Sequence, residues 1–393
     1  MRFRCKQCSA INVMNQAQPG STIKCGKCAA VLTVPEHAAS PNVVFGDFVI
    51  IEVWNKHSHE TDFIAEQIST QRRCLLKIPA QPIQNDKEVL QRYIARIRKI
   101  ASFSHPFHAD IITMGKDNDL VFVVTQLPQG ESLKKHLTEQ GTFLWNDALR
   151  FIGETAEVLH HAYQKTGLAH LNLKPDYLFL DPYGHATVTD IGFAAFKIDE
   201  DDEKIIGTPQ YISPERIVGL DGDFRSDLYS LGIIAFMMLT GEMPYPGSSG
   251  QEFIQHHLNT TPAKVRQHNP KLPEFLDHII DRMLQKNPEQ RYQTWAELNV
   301  DLQRASQPSR ETSSPQRETD ITETVKETKG GSAESEPLKP GTLKVRIEGD
   351  SKVSLLQPTQ HDPAKSSNSI IPTPEEGVKV KPPVNQHEED DVI

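Results

Sequence analysis

Two pairs of cysteines near the start of the chain constrain its fold more tightly than any other feature. The pattern Cys-x2-Cys occurs twice, so four of the five cysteines fall within the first 28 residues. Each such turn directs two thiolates at one ion, and two turns complete the tetrahedral shell of a structural zinc site. The spacing predicts a small unit at residues 1–36 in which Zn²⁺ is held by Cys5, Cys8, Cys25 and Cys28. Two disulfides or a redox pair are the alternative, although redox Cys-x2-Cys motifs come singly on larger folds.

The overall charge argues against two classes of protein. The chain has 393 residues and a formal net charge of −10, which disfavours a surface that tracks nucleic acid or an anionic membrane throughout. No apolar run reaches the roughly eighteen residues of a membrane helix. The best candidate, "LGIIAFMMLTG" at 231–241, has the length of a buried core helix.

The start of the chain contains no secretion signal, so we expect a cytoplasmic protein with reduced thiols.

Residue composition divides the rest of the chain into two parts. Residues 45–304 mix strand-like runs such as "FVIIEVW" with helical periodicity such as "KEVLQRYIARIRKIASF", which predicts one α+β domain in two parts. After Gln307 there is no Phe, Trp or Tyr, and ten of the 27 prolines lie in 306–393. Such a segment cannot bury a core. We therefore expect residues 305–393 to be a disordered tail rich in Pro, Ser, Thr and Glu, in which "GTLKVRIEGDSKVSLL" alternates like a marginal hairpin.

Several short motifs follow one another in a fixed order along residues 45–304. They are "CLLKIP", "HLNLKPDY", "VTDIGFA", "GTPQYISPE" and "NPEQRYQT". In this order they resemble the V-A-I-K, H-R-D-L-x-x-x-N, D-F-G, A-P-E and closing arginine motifs of bacterial eukaryotic-like serine/threonine protein kinases. The first segment, with "IKCGKCAAVLTVP" as its second half, is similar to small N-terminal zinc-ribbon fingers. The resemblance implies an α+β, bilobal protein-kinase-like fold that follows a zinc ribbon and precedes the tail.

The resemblance assigns roles to residues that this chain retains. Lys77 stands at the position of the phosphate-binding lysine, Lys174 in the catalytic loop, and Asp190 at the metal-binding aspartate. The family's structural residues are also present: His170, Gly192, Thr208, Glu215, Asp227 and Arg291. The resemblance implies that Glu215 and Arg291 form a buried ion pair, and that Asp227 holds the catalytic-loop backbone.

The glycine loop that would hold nucleotide phosphates is replaced. Counting back from Ala65, its three glycines fall at Asn55, His57 and Glu60. Kinases use glycine there because backbone N–H groups must approach the phosphates closely, and a glutamate adds negative charge at that place. We expect an ordinary polar hairpin at "NKHSHE" rather than a phosphate cradle of unusual type.

The catalytic loop and the family's ion pair also depart from the pattern. Arg96 stands where a helix glutamate should pair with Lys77, so a like charge replaces the partner. Asn172 occupies the position of the catalytic base, and a carboxamide has no basic site to accept a proton. Tyr177 replaces the second metal ligand, and a neutral phenol is a poor ligand for magnesium. Leu171 replaces the arginine that receives an activation-loop phosphate, and the loop "KIDEDDEKII" contains no Ser, Thr or Tyr.

These losses predict a pseudokinase that acts by binding, as a scaffold or regulator of other signalling proteins. Zinc is the expected structural cofactor, whereas ATP and Mg²⁺ should bind weakly or not at all. One alternative is an active ATP-dependent serine/threonine protein kinase with displaced catalytic groups. Another is nucleic-acid or protein binding through the ribbon, whose formal charge is about +3 with Zn²⁺ and four thiolates counted, although such charges more often form a solvated surface. Cys74, in an apolar strand, is expected to be a buried small hydrophobe.

Overall fold

A computed structural model of the chain describes residues 1–14, 18–57, 59–193, 196, 205–306 and 345–347. Most of the tail predicted at 305–393 therefore lies outside the described residues. So does most of the stretch interpreted as a marginal hairpin, of which only Val345–Ile347 is described, as a strand.

Two similar β-hairpins form the N-terminal unit. Their strands are β1 Arg2–Arg4, β2 Ile11–Val13, β3 Thr22–Lys24 and β4 Val31–Thr33, and β1 pairs with β2 as β3 pairs with β4, both antiparallel. Each hairpin turns through one cysteine pair. Ser9 and Ala29, the residues that follow the two pairs, have left-handed φ angles of 58° and 59°. Their N–H groups bond to the carbonyls of Cys5 and Cys25, both at 3.0 Å, so the two turns repeat one geometry.

The N-terminal unit packs on the first lobe through its strand β1. Phe3 is 2% exposed and forms an antiparallel bridge with Val43. On either side of it, Arg2 pairs with Asp117, and Arg4 Nη1 lies 2.7 Å from an oxygen of Glu66. The two arginines that the sequence offers as ribbon surface charge are thus neutralised by the lobe.

The first lobe is an antiparallel sheet with one main helix. The sheet has the strand order β5-β6-β7-β8-β10-β9. Its strands are β5 Val44–Phe45, β6 Phe48–Lys56, β7 Glu60–Gln67, β8 Arg73–Pro79, β9 Ile111–Asp117 and β10 Leu120–Gln126. Between β8 and β9 lie the short helix α1 Gln81–Asn85 and the longer helix α2 Lys87–Ala101. Cys74 is 2% exposed on β8, as expected of a small buried hydrophobe.

The start and the buried face of α2 both follow from its sequence. The carboxylate of Asp86 accepts hydrogen bonds from the backbone N–H groups of residues 88 and 89, which caps the helix. Tyr93, Ile97 and Ile100 recur at helical spacing, are buried, and pack in one cluster with Phe193 and Phe196 of the other lobe. Helix α2 therefore joins the two lobes through its apolar face.

The second lobe is mostly helical. Its helices are α3 Leu133–Glu139, α4 Trp145–Thr166, α5 Pro214–Ile217, α6 Phe224–Thr240, α7 Gly250–Asn259, α8 Val265–His268, α9 Glu274–Met283 and α10 Trp295–Ser306. A small sheet joins β11 Glu131–Ser132, β12 Leu178–Leu180 and β13 Ala186–Val188, and β14 Ile205–Gly207 pairs in parallel with β15 Val345–Ile347. Helix α6 is apolar on almost all sides and lies in the core with α4 and α9. None of the described helices is long and apolar enough to cross a membrane.

Two buried polar contacts confirm the structural roles that the resemblance implied. Arg291 donates from Nη2 and Nη1 to the two carboxylate oxygens of Glu215, at 2.7 and 2.8 Å. Asp227 accepts the backbone N–H groups of His170 and Leu171, at 2.8 and 2.7 Å. Leu171 has a left-handed φ of 60°, which a non-glycine residue adopts at a cost, so Asp227 holds a strained loop in place.

Replacing Arg291 with leucine should lower the free energy of unfolding by about 3–5 kcal/mol, because Glu215 would remain buried without its cation. Urea unfolding of the wild type and the variant measures the loss. Arg304→Ala is the control, since Arg304 is 77% exposed and pairs with Asp301 at 3.6 Å. Arg304→Ala should lower the free energy of unfolding by less than about 1 kcal/mol. Equal, small losses in both variants would contradict a structural role for the buried pair.

Candidate functional site

A lysine surrounded by carboxylates forms the centre of the candidate site. The side chain of Lys77 on β8 is 2% exposed. Its ammonium group donates hydrogen bonds to Asp190 at 2.5 Å, to Asp62 at 2.8 Å and to Glu60 at 3.2 Å. The carboxylate side chains are themselves only 1% to 7% exposed. The sequence analysis placed Lys77 at the position of the phosphate-binding lysine, and the structure buries this residue among carboxylates.

Strand pairing explains why two of these carboxylates face the lysine. Strands β7 and β8 are antiparallel, and their register places Asp62 directly opposite Lys77. Side chains two residues apart on a strand point to the same face, so Glu60 joins Asp62 beside the ammonium group. Asp190 comes from the second lobe, shortly after β13, and has a φ of 63° that directs the chain sharply away. The cluster therefore connects both lobes.

The close charges shift the pKa values of Lys77 and Asp190. Burial disfavours the charged form of Lys77, but the charges of Asp190, Asp62 and Glu60 outweigh it and raise the pKa of Lys77 well above its ordinary value. Burial would raise the pKa of Asp190, yet Lys77 and then His57 bring it below its ordinary value. Both groups stay charged over the physiological range.

Aromatic rings close the site on the side of the β6–β7 turn. The side chain of His57 is 6% exposed, and its Nε2 lies 3.5 Å from Asp62. Its ring centroid is 5.7 Å from that of His59 and 5.8 Å from that of Tyr177. The hydroxyl of Tyr177 lies 3.4 Å from Nδ1 of His57, and the Lys174 ammonium lies 4.8 Å from the centroid of the Tyr177 ring. These side chains fill the space between the turn and the catalytic loop.

The prediction that "NKHSHE" forms a hairpin is confirmed, but the exposure expected of an ordinary polar hairpin is not. Strands β6 and β7 do form a hairpin, but His59 and Glu60 at its end are 2% and 1% exposed. The physical reason is the buried ammonium of Lys77, which draws the carboxylates of β7 inward. Alternation at positions 60 and 62, opposite a lysine on the next strand, is the signal that could have identified Asp62 as a site residue.

The base position of the catalytic loop is occupied by a hydrogen-bonded amide. Asn172 is 5% exposed, and its Oδ1 accepts a hydrogen bond from Thr208 Oγ1 at 3.2 Å. The amide can orient a hydroxyl group but cannot remove its proton. Tyr177, at the position of the second metal ligand, is buried with its ring 5.4 Å from that of His170. It occupies the loop as an aromatic packing residue.

Helix α2 presents no acidic partner to Lys77. Arg96, at the expected glutamate position, lines a cavity beside Arg216 in the second lobe. One turn earlier on the helix, the hydroxyl of Tyr93 donates to Glu60 at 3.0 Å. The helix therefore reaches the lysine cluster through a carboxylate of β7. Sequence analysis did not single out Tyr93, whose helical spacing with Ile97 indicated only core packing.

The four cysteines converge as a metal site requires. Their sulfurs all lie within 4.8 Å of one another, with Cys5 to Cys28 at 3.8 Å and Cys8 to Cys25 at 3.6 Å. Tetrahedral zinc with Zn–S bonds of about 2.3 Å separates its sulfurs by about 3.8 Å. The four thiols are free rather than bridged by disulfides. The donor set fits a structural zinc ion without rearrangement.

The residues that would hold Mg²⁺ and ATP phosphates do not fit these groups. Asp190 already pairs with Lys77, the cation that should contact phosphate. Glu60 and Asp62 add negative charge on the side from which phosphates would approach. The oxygens of these three acids lie close enough for a metal ion, but the Lys77 ammonium bonds to all of them.

Comparison with known proteins places this geometry in context. The family model described as Protein kinase domain matches residues 63–301. Serine/threonine-protein kinase PrkC of Bacillus subtilis is 28% identical over 265 residues, which cover 67% of this chain and 41% of that protein. Serine/threonine-protein kinase PknB of Mycobacterium tuberculosis is 28% identical over 250 residues, 61% of this chain and 40% of that protein. The chain thus matches about two fifths of the length of these curated relatives.

Solved structures show the same fold. The crystal structure of the Mycobacterium tuberculosis PknI kinase domain superimposes with a TM-score of 0.53 at 20% identity. The match covers 68% of this chain and 99% of that domain. The expected α+β, bilobal fold is confirmed.

A pH-dependent contribution of His57 follows from its contacts. Burial lowers the pKa of His57, but the hydrogen bond and charge of Asp62, with Asp190 and Glu60, raise it above its ordinary value overall. Stability from protonated His57 is therefore fully present below the unfolded pKa of about 6.5 and is lost as pH rises through the folded pKa.

His57→Gln should accordingly lower the melting temperature more at pH 5.5 than at pH 8.5. Thermal unfolding of both proteins at the two pH values measures the difference. His278→Gln is the control, since His278 is exposed, and it should shift the melting temperature little at either pH. A His57→Gln effect that is equal at both values, or larger at pH 8.5, would contradict a protonated histidine in the cluster.

Proposed function

Because the chain belongs to the protein kinase domain family, we propose that its kinase-like domain is a pseudokinase that binds signalling proteins as a scaffold or regulator. The observation that carries this proposal is the pairing of Lys77 with carboxylates of its own chain. Glu60 and Asp62 supply, from β7, the negative charge that phosphates of a nucleotide would bring. The positive charge of Lys77 is already balanced by these carboxylates, so it is not available to orient a phosphoryl group.

Electrostatics explain why these carboxylates oppose nucleotide binding. Two like charges 4 Å apart repel by about 4 kcal/mol at the effective dielectric of a protein site near the surface. The ATP polyphosphate would meet Glu60 and Asp62 together, in a site where 3% or less of each side chain is exposed. It would also lack the glycine backbone that approaches phosphates in active kinases. The net interaction of this site with a polyphosphate is therefore unfavourable.

The catalytic loop supports the same proposal independently. Phosphoryl transfer needs in-line positioning, two metal ligands and a residue that accepts the hydroxyl proton. Here the base position is Asn172, hydrogen-bonded to Thr208, and the second ligand position is Tyr177, buried in an aromatic cluster. Loss of a general base alone lowers the rate by roughly 10²–10⁴.

An active serine/threonine protein kinase is the second candidate, and the curated relatives favour it because their names describe such kinases. It requires Lys77 to leave the carboxylates of β7 and another group to replace the missing base. Nucleic-acid binding by the ribbon has less support, because Arg2 and Arg4 already pair with Asp117 and Glu66. We propose that the protein is cytoplasmic, because none of its five cysteines forms a disulfide and thiols stay reduced in that compartment.

Thermal-shift titration with ATP, with and without Mg²⁺, tests nucleotide binding. The wild type should show no shift at millimolar ATP, whereas Glu60→Gln/Asp62→Asn should gain one because the repulsion is removed. The kinase domain of the Bacillus subtilis relative serves as the assay control. A micromolar ATP dissociation constant for the wild type would overturn the proposal.

Radiolabel transfer to a generic protein substrate tests catalysis directly. Wild type and Asn172→Asp should both be inactive with Mg²⁺ or Mn²⁺, because restoring one group of a cooperating set returns little activity. Metal-dependent transfer by the wild type that Lys77→Met abolishes would establish the active-kinase alternative instead.

We also propose that the N-terminal unit is a zinc ribbon with one structural Zn²⁺ per chain. The separations of its four sulfurs support this, as does the closed shell that leaves no position for a substrate. Metal analysis of reduced protein should give one zinc per chain, and Cys8→Ser should lower it. Cys74→Ser is the matched control and should leave the zinc content unchanged. A wild-type content well below one would reject the site.

A further inference from the structure

A group of possible metal ligands lies at helix α4, separate from the four cysteines and from the acids around Lys77. His105, Glu157 and His161 each place an imidazole nitrogen or a carboxylate oxygen within 4.8 Å of the other two. Glu157 and His161 belong to α4, and His105 lies in the connection between α2 and β9. The proposed function uses none of these side chains.

Helical spacing brings two of the three groups together. Side chains four residues apart lie on the same face of an α-helix, so the carboxylate of Glu157 and the imidazole of His161 are neighbours. Both residues are exposed. Within the part of the chain that the structure describes, neither side chain has an ion pair or hydrogen bond outside this group. An ion from solvent can therefore reach them without breaking a contact that maintains the fold.

The third side chain is held in place by aromatic packing. His105 has a side chain that is 9% exposed, and its ring stacks on that of Phe103 with an interplanar angle of 12°. Its Nε2 lies 3.5 Å from a carboxylate oxygen of Glu157, and its ring centroid lies 5.1 Å from that of His161. Two ligands of a tetrahedral zinc ion with bonds of about 2.0–2.2 Å are about 3.4 Å apart. The first two ligand atoms already have nearly this spacing, and the exposed His161 can rotate to complete the set.

The other ring nitrogen of His105 limits the affinity of the site. Nδ1 accepts the backbone N–H of Phe107 at 3.3 Å, so the proton of the neutral ring lies on Nε2 and faces Glu157. A metal ion at Nε2 displaces this proton to solvent, Nδ1 takes up another, and the hydrogen bond from Phe107 is lost. With this loss and only three protein ligands, we expect weaker zinc binding than at the four thiolates.

We propose that His105, Glu157 and His161 form a second metal site, which binds a divalent transition metal such as Zn²⁺. Imidazole nitrogens favour zinc over Mg²⁺ and Ca²⁺, which prefer oxygen ligands. Three protein ligands leave the fourth tetrahedral position to water. The ion would link the connection between α2 and β9 to α4 of the second lobe. This inference does not depend on whether Lys77 binds nucleotide.

Zinc titration of the full chain tests the proposal. The protein is loaded with zinc, desalted so that it keeps only tightly bound metal, and titrated by calorimetry. The wild type should bind one further Zn²⁺ per chain in the micromolar range, and Mg²⁺ should give no such signal. Cys8→Ser should leave this binding event unchanged, which separates it from the ribbon. Failure of the wild type to bind further zinc would overturn the proposal.

Two variants at exposed positions identify the ligands. His161→Ala and Glu157→Gln should each weaken the further zinc binding by at least roughly tenfold, because even a group that only supports a metal ligand contributes roughly 10–100-fold. Both variants should keep the wild-type melting temperature without added zinc, since the two residues are exposed. His160→Ala is the matched control, because His160 adjoins His161 on α4 but is not one of the three ligands. Binding that survives His161→Ala, or is lost equally in His160→Ala, would contradict the assignment.

Co²⁺ distinguishes the two kinds of site. Added to the zinc-loaded wild type, it should produce the visible absorption of an ion with nitrogen and oxygen ligands, without a thiolate charge-transfer band in the near ultraviolet. His161→Ala should lack this absorption. A thiolate band in its place would locate the added ion at the cysteines and would reject the second site.

Discussion

The candidate site depends on the hydrogen bonds and ion pairs that the ammonium group of Lys77 forms with its carboxylates. This ammonium group joins carboxylates of β7 to Asp190 of the second lobe, at distances of 2.5 to 3.2 Å. Burial of charged groups is unfavourable unless each is paired, so the positions of these side chains are strongly coupled. The hairpin end, the hydroxyl of Tyr93 and the ring of His57 are arranged around this cluster. A ligand that needs the lysine must first separate these pairs.

The substitutions form two consistent groups rather than a series of isolated losses. Beside Lys77, β7 carries the acids Glu60 and Asp62 at positions where glycine or a neutral residue would allow phosphate to approach. On α2, Arg96 lines a cavity instead of pairing with Lys77, and the lysine pairs with these two acids. Meanwhile the Glu215–Arg291 pair persists with full hydrogen bonding. The contacts that maintain the fold are thus kept, whereas Lys77 and Asp190 are paired with groups of the same chain.

The sequence predicted the fold well and the site in part. Motif order located Lys77, Asn172 and Asp190, and strands and helices appear close to where periodicity placed them. Asp62 escaped notice because nothing local distinguishes it from an exposed strand residue; only pairing with β8 sets it opposite the lysine. The burial of His57 was missed for the same reason, since its neighbour Tyr177 is 120 residues away.

By itself, the sequence determined the repeated cysteine turns, the order of the motifs and the absence of a carboxylate at position 172, because spacing and chemistry are local properties. Only the tertiary structure decided which charges meet. Lys77 finds partners 15, 17 and 113 residues away, and Arg96 faces Arg216 across the two lobes. The energy of a charge is set by burial and by neighbours a few ångströms away, and those neighbours exist only once the strands and lobes have packed.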